Sequence, residues 1–200
     1  MIRLARVDDI DQIWQLRLET SELLKERHID QWQYHKPEKS TILEDIELGE
    51  FFIDEVDNYI VGMIAIKKGI EHTYNQIFGG SWGYDRPYMT IHRLAVKKDC
   101  LGKNISINMM KFAHEYTLSQ GLDYIRIDTH EDNKYAQRLF TNLGYKLRGF
   151  ILLDENHPGE RKRLAFDIKL KQPVKMSSTK NIKNEYKVNK KHHLKTCLKK

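Results

Sequence analysis

Asn133-Lys134-Tyr135-Ala136-Gln137-Arg138-Leu139-Phe140-Thr141-Asn142-Leu143-Gly144-Tyr145 is the stretch that decides the fold. Ala136, Leu139, Phe140 and Leu143 fall at i, i+3, i+4 and i+7, one apolar stripe of an α-helix. Gly144 is the residue type that closes such a helix. Just upstream, Tyr124 to Thr129 has the alternation of a strand, and Asp128-Thr129-His130-Glu131-Asp132-Asn133 ends that strand and opens the helix. Downstream, Tyr145–Asp154 and Lys162–Leu170 read as two strands, with Asn156-His157-Pro158-Gly159 as their turn.

Working back toward the N-terminus, the same grammar continues. Lys103 to Ser119 is helical, with Ile105, Met109, Phe112, Ala113 and Tyr116 on one face and Gly121 as its stop. Tyr88–Lys97 is a strand. Phe51–Val56 and Tyr59–Lys67 form a hairpin through Asp57-Asn58, which suits a tight turn. Ile42–Leu48, opened by Pro37-Glu38-Lys39 and stopped by Gly49, is a short helix. Ile10 to Arg27 is a long one, preceded by a strand from Met1 to Arg6 and by Val7-Asp8-Asp9 as its cap. Ile29–Pro37 is a loop with exposed aromatics, Trp32 and Tyr34. Ile70–Arg86 is long, and Gly79-Gly80 and Gly83 flank its Trp82; loops of that length inside a domain are more often functional than accidental. The order β-α-α-β-β-β-α-β-α-β-β gives an α/β domain with a mixed sheet and no internal repeat.

Composition narrows the class. The chain has 200 residues, 40% of them hydrophobic, enough for one domain with a core. No apolar run approaches the roughly 18–20 residues of a membrane span, no leader pattern opens the chain, and two cysteines make no disulfide framework; a cytoplasmic protein is expected. The net charge of +6 is uneven: residues 172–200 hold nine Lys and one Glu, which leaves −2 on residues 1–171. The domain is therefore 1–171. Residues 172–200 form a basic tail, expected to be disordered, whose one functional expectation is weak, non-specific contact with nucleic acid. His192-His193 and His130-Glu131-Asp132 do not make a metal site, because neither places enough converging ligands. No metal is expected.

The strand–loop–helix from Tyr88 to Tyr116 is the first candidate for binding. Lys98-Asp99-Cys100-Leu101-Gly102-Lys103-Asn104-Ile105-Ser106 turns a strand directly into a helix. A helix's first turn offers free N–H groups and a positive dipole end to phosphate oxygens. Gly102, Asn104 and Ser106 are small, and Lys103 adds charge. Cys100 has no identifiable activating base and is read as inert.

Taken together, Leu94-Ala95-Val96, the Gly102-Lys103 loop and the Asn133-x-x-Ala136-x-x-Leu139-Phe140-x-x-Leu143-Gly144-Tyr145 string resemble the GNAT N-acetyltransferase superfamily, and Ile2 to Asp9 resembles its first strand and helix start. The resemblance runs to about Leu170. It implies a mixed, mostly antiparallel sheet flanked by helices and split between strands four and five, with acetyl-CoA as co-substrate wedged in the gap. It further implies that the backbone of Leu94 and Val96 pairs with the pantetheine arm. Amides of Leu101, Gly102, Lys103, Asn104, Ile105 and Ser106 would hold the pyrophosphate, and Asn133 would reach the pantetheine or acetyl end. The family's loop usually reads Arg/Gln-x-x-Gly-x-Gly/Ala; here Leu101, Asn104 and Ser106 depart from it, though Asn tolerates left-handed dihedrals. Members often carry Tyr where this chain has Phe140, which cannot protonate a leaving thiolate.

Transfer of an acetyl group to an amine needs a base for the amine. His92 lies on the fourth strand, two residues before Leu94 and so on its face by simple alternation, and some family members use a His or Glu on this strand. Thr90 is the weaker candidate, as a water holder. Arg93, Asp128 and His130 are read as an ion-pair cluster bracing the two strands. The expected acceptor is a small molecule with a primary amine, bound between the early helices, the 79–83 loop and the split strands, in a monomer or homodimer. The competing readings are a non-catalytic coenzyme A-binding or regulatory domain, and a protein acetyltransferase.

Overall fold

The computed structural model describes residues 1–171; the expectations about the basic tail lie outside the described residues. Eleven helices and strands appear in the expected order. They are β1 (Ile2–Leu4), α1 (Ile10–Glu26), α2 (Lys39–Glu47), β2 (Phe51–Val56), β3 (Tyr59–Lys68), β4 (Met89–Val96), α3 (Ile105–Ser119), β5 (Tyr124–His130), α4 (Lys134–Asn142), β6 (Lys146–Leu152) and β7 (Lys162–Lys169). The strands make one sheet, ordered β1-β2-β3-β4-β5-β7-β6, in which only the β4–β5 pairing is parallel.

Local chemistry explains the corners. Asp57 and Asn58 both take positive φ, +49° and +66°, as a two-residue hairpin loop matched to strand twist requires. β3 is buried on both faces from Ile60 to Ile66, which is why it lacks a polar alternation. One sheet face packs Ile64, Ile66, Met89, Ile91, Ile125 and Ile127 against Met109 and Met110 of α3 and Phe140 of α4. The other packs Phe51, Ile53, Met63 and Ala65 against Ile13, Leu16, Ile42 and Ile46 of α1 and α2. Each such apolar side chain contributes about 1.5–3 kcal/mol by leaving water. Gly62 sets the approach of α3: a Cβ there would lie 2.7 Å from the Met109 sulfur.

Parallel pairing of β4 with β5 is confined to Met89–Ile91 opposite Ile125–Ile127. Beyond Ile91 the strands part, and the edge of β4 facing β5 is open. On its other edge β4 runs against β3 with an irregular register: His92 pairs Ala65, but Ala95 pairs Met63, so β4 spends three steps where β3 spends two. This is a β-bulge, and Arg93 sits in it at φ +54°.

Three expectations need correcting. Trp32 is not an exposed loop aromatic; it packs against the α1–α2 core, and its carbonyl accepts from Arg17 and Ser21, whereas Tyr34 is exposed. The 79–83 loop does not border the split strands. It is stitched to β6 and β7 through the Phe78–Phe150 bridge and the Gly83 amide on Asp167, and a Cβ on Gly80 would strike the Arg148 carbonyl. The third concerns β4: the bulge cancels the alternation that put His92 and Leu94 on one face. Leu94 and Val96 turn to the α3 side, while Ala95 joins the α1–α2 core.

Candidate active site

Where β4 and β5 separate, a cleft of about 870 Å³ runs between the two halves of the sheet. One end is the open backbone of β4 and the start of α3; Leu94, Val96, Leu101, Gly102, Asn104, Ile105 and Ser106 line it, and Lys103 does not. Asn104 takes φ +60°, ψ +13° as the residue before α3, a left-handed conformation that asparagine bears more readily than most residues. Gly102 is also left-handed, at φ +76°, with nothing within 4 Å of where a Cβ would stand. The amides of the first α3 turn have no helical acceptor by construction. An extended arm beside β4 and a diphosphate at the α3 start therefore fit the donors present.

Asn133 lies in the cleft wall with both ends of its carboxamide engaged. Its oxygen accepts from the Ala136 amide and caps α4, and its nitrogen donates to Gln31 Oε1 at 2.9 Å. Gln31 also accepts from Thr129, and Arg27 stacks on Tyr135 at 4.1 Å. The loop after α1 is thus tied to β5 and α4 across the split. Phe140 lines the cleft but is nearly buried, its ring packed against Tyr145 and Phe166.

At the other end, His92 and Glu71 meet: Nε2 to Oε2 is 3.1 Å. The hydrogen bond from His92 holds the Glu71 carboxyl at about 2, against the cost of burying its charge. Thr73 donates to the other Glu71 oxygen, and His72 bridges Glu71 to Asp154. Behind His92, the buried Tyr74 hydroxyl donates to Asp128 at 2.6 Å; burial and that carboxylate push the phenol well above its ordinary range. Thr90 is on the sheet face shared with His92, but it is buried and does not line the cleft.

The expected cluster of Arg93, Asp128 and His130 does not form. The bulge swings Arg93 toward α2, where Nη1 lies 2.7 Å from the fully buried Asp45, outside hydrogen-bond geometry; Lys67 donates to the same carboxylate. Asp128 serves Tyr74, and His130 accepts from the Asp132 amide. Cys100 is buried in the core. Among the described residues no cluster of metal-ligating side chains occurs, and no helix is long and apolar enough to cross a membrane.

The model of the Acetyltransferase (GNAT) family matches residues 11–145, which hold most of the cleft lining from α1 to the Leu143-Gly144-Tyr145 motif. The chain belongs to the GNAT acetyltransferase family. Among solved structures, a GNAT acetyltransferase from Streptococcus agalactiae 2603 is 30% identical with a TM-score of 0.72, covering 86% of this chain and 96% of its own. A GNAT acetyltransferase from Listeria monocytogenes 4b F2365 is 23% identical with a TM-score of 0.66, over 85% and 94% of the two chains. The PaiA N-acetyltransferase of Thermoplasma acidophilum, in complex with coenzyme A, shares the fold at 18% identity and a TM-score of 0.61, over 84% and 98%. Nothing among curated protein sequences matches. As a GNAT acetyltransferase the chain uses acetyl-CoA as co-substrate. Sequence reasoning missed Glu71, which sits in a loop with no periodicity, and Gln31, whose partners lie about a hundred residues away.

Proposed function

We propose that the protein transfers the acetyl group of acetyl-CoA to the primary amine of a small molecule, with His92 as the general base. The single observation that carries this reading is the His92–Glu71 pair in the cleft wall where β4 and β5 part. Acetyl-CoA, when bound, supplies the acetyl group as a thioester. The residues of the chain do the rest. With Nε2–H donating to the ionised Glu71, the lone pair of His92 is on Nδ1, the form that takes a proton from an ammonium group. Glu71 fixes the tautomer and ring orientation and stabilises the imidazolium that results. Amides of Leu101–Ser106 and the free edge of β4 bind and align the cofactor, and that alignment supplies much of the rate.

Phe140 donates no proton, and Tyr145 behind it is occupied by His114. The reaction therefore leans on the base and on positioning. The test is kcat/KM across pH 6–9 with a panel of small amines. His92→Gln lowers it about 10²-fold or more, the usual general-base contribution, and changes its pH profile, while coenzyme A affinity stays within a few-fold. A variant with wild-type kcat/KM and the same pH profile would mean that His92 only packs. Turnover also separates the enzyme from a coenzyme A-binding module that does no chemistry.

A further inference from the structure

Four arginines of the domain are buried or nearly so, and three have an aromatic ring or a carboxylate against the guanidinium. Arg17 donates to the carbonyls of Trp32, Lys36 and Pro37 and stacks on Trp14. Arg126 is boxed by the rings of Trp82, Tyr88 and Tyr124. Arg93 faces Asp45. Arg163, 3% exposed, is the exception. Its Nη1 donates to two neutral carbonyls, Glu160 at 2.5 Å and Lys162 at 2.9 Å. Among the described residues no carboxylate lies within ion-pair distance of it and no ring covers it; Asp128, Asp30 and Glu160 act on it only from farther away. A buried cation left in this state is costly.

Its position gives the cost a use. Arg163 lines the cleft and sits opposite His130 in the β5–β7 register, on the sheet face that carries Asp128. The side chains of Asp128 and His130, two residues apart, place that position about 7 Å along the sheet from Asp128, whose partner Tyr74 has its ring 6.3 Å from His92. His130, its neighbour across the ladder, accepts from the Asp132 amide at Nδ1, and its Nε2 is buried without a hydrogen-bond partner among the described residues, though His130 does not itself line the cleft.

We infer that Arg163 binds an anionic group, carboxylate or phosphate, on the acceptor, so that the substrate is an amine that also carries a compact oxyanion. This rests on the proposed amine acetylation and names the acceptor's class. A guanidinium fork suits either oxyanion.

The experiment compares three acceptors of matched chain length: an alkylamine, an ω-amino carboxylate and an aminoalkyl phosphate. Each is assayed with acetyl-CoA and the full chain, wild type, Arg163→Gln and Arg163→Lys. Wild type is expected to favour an anionic acceptor roughly 10- to 100-fold in kcat/KM, the better of the two identifying the oxyanion. Arg163→Gln collapses that ratio, and Arg163→Lys keeps part of it. If Arg163→Gln does not fold, Arg163→Lys and the wild-type ratio decide. Equal or better turnover of the alkylamine by wild type overturns the inference while leaving acetyl transfer intact, as does a ratio that survives Arg163→Gln. If none of the three is acetylated, the amine reading fails separately, and melting of the coenzyme A-loaded protein decides the anion site. Protection of wild type but not the variant by the amino carboxylate or amino phosphate supports the site; no protection of wild type overturns it.

Discussion

His114 offers a quantitative test of how α3 is packed against the Leu143-Gly144-Tyr145 corner. Its Nε2 lies 3.0 Å from the Tyr145 hydroxyl, and burial holds the imidazole at about 4, against an ordinary 6.5. The folded state therefore refuses a proton that the unfolded chain accepts between those values. Stability is complete above about pH 6.5 and falls as pH drops toward 4. With the pKa at about 4 in one state and 6.5 in the other, the loss reaches about 2 kcal/mol at pH 5 and levels off near 3 kcal/mol below pH 4. His114→Gln keeps a hydrogen-bonding partner for Tyr145 and does not titrate. Urea unfolding at pH 7.5 and pH 5 isolates the effect, because every other group titrates alike in both proteins. Wild type should lose about 2 kcal/mol more than the variant. Equal losses would show that His114 is not held neutral by burial.

Further outcomes follow from the cleft and the bulge. Gly102→Glu should weaken coenzyme A binding by about tenfold or more in calorimetric titration, since it sets a carboxylate at the phosphate end; Gly102→Ala, with the same backbone strain, controls for conformation, and unchanged affinity in the Glu variant would remove the loop from the site. Phe140→Tyr places a hydroxyl beside the cleft, so kcat should hold or rise; a fall beyond the change in melting temperature would mean that the position is needed only for packing. Asp45→Asn leaves Arg93 buried without its counter-charge and should cost about 3–5 kcal/mol in denaturant unfolding, whereas a loss under 1 kcal/mol would mean that water already reaches the pair.

Much of this was legible in the sequence because periodicity reports burial directly. The α4 stripe of Ala136, Leu139, Phe140 and Leu143, the Asp57-Asn58 turn and the glycine stops placed their elements to within a residue or two. The open β4 edge followed from resemblance, not from pattern. What stayed hidden depends on pairings between distant segments. Glu71 has no local signal, because its partner His92 is brought to it by β4. The 79–83 loop looked like part of the cleft because glycines there permit close approach, but what they approach is β6. Trp32 looked exposed because a loop carries no face to judge it by.

The residue inserted at Arg93 acts like a dislocation in a crystal row. Before it, Met89 and Ile91 point to α3; after it, Leu94 and Val96 do, half a period out of phase. One strand thereby does two jobs that strict alternation would forbid. It turns His92 toward Glu71, and three steps later it seats Ala95 among α1 and α2 while its edge facing β5 stays open beyond Ile91. Straightening the strand with Arg93 still in it would turn Leu94 and Val96 toward α1 and press Ala95 into the space beside Met109, whereas removing Arg93 together with the bulge would leave all three on their present faces.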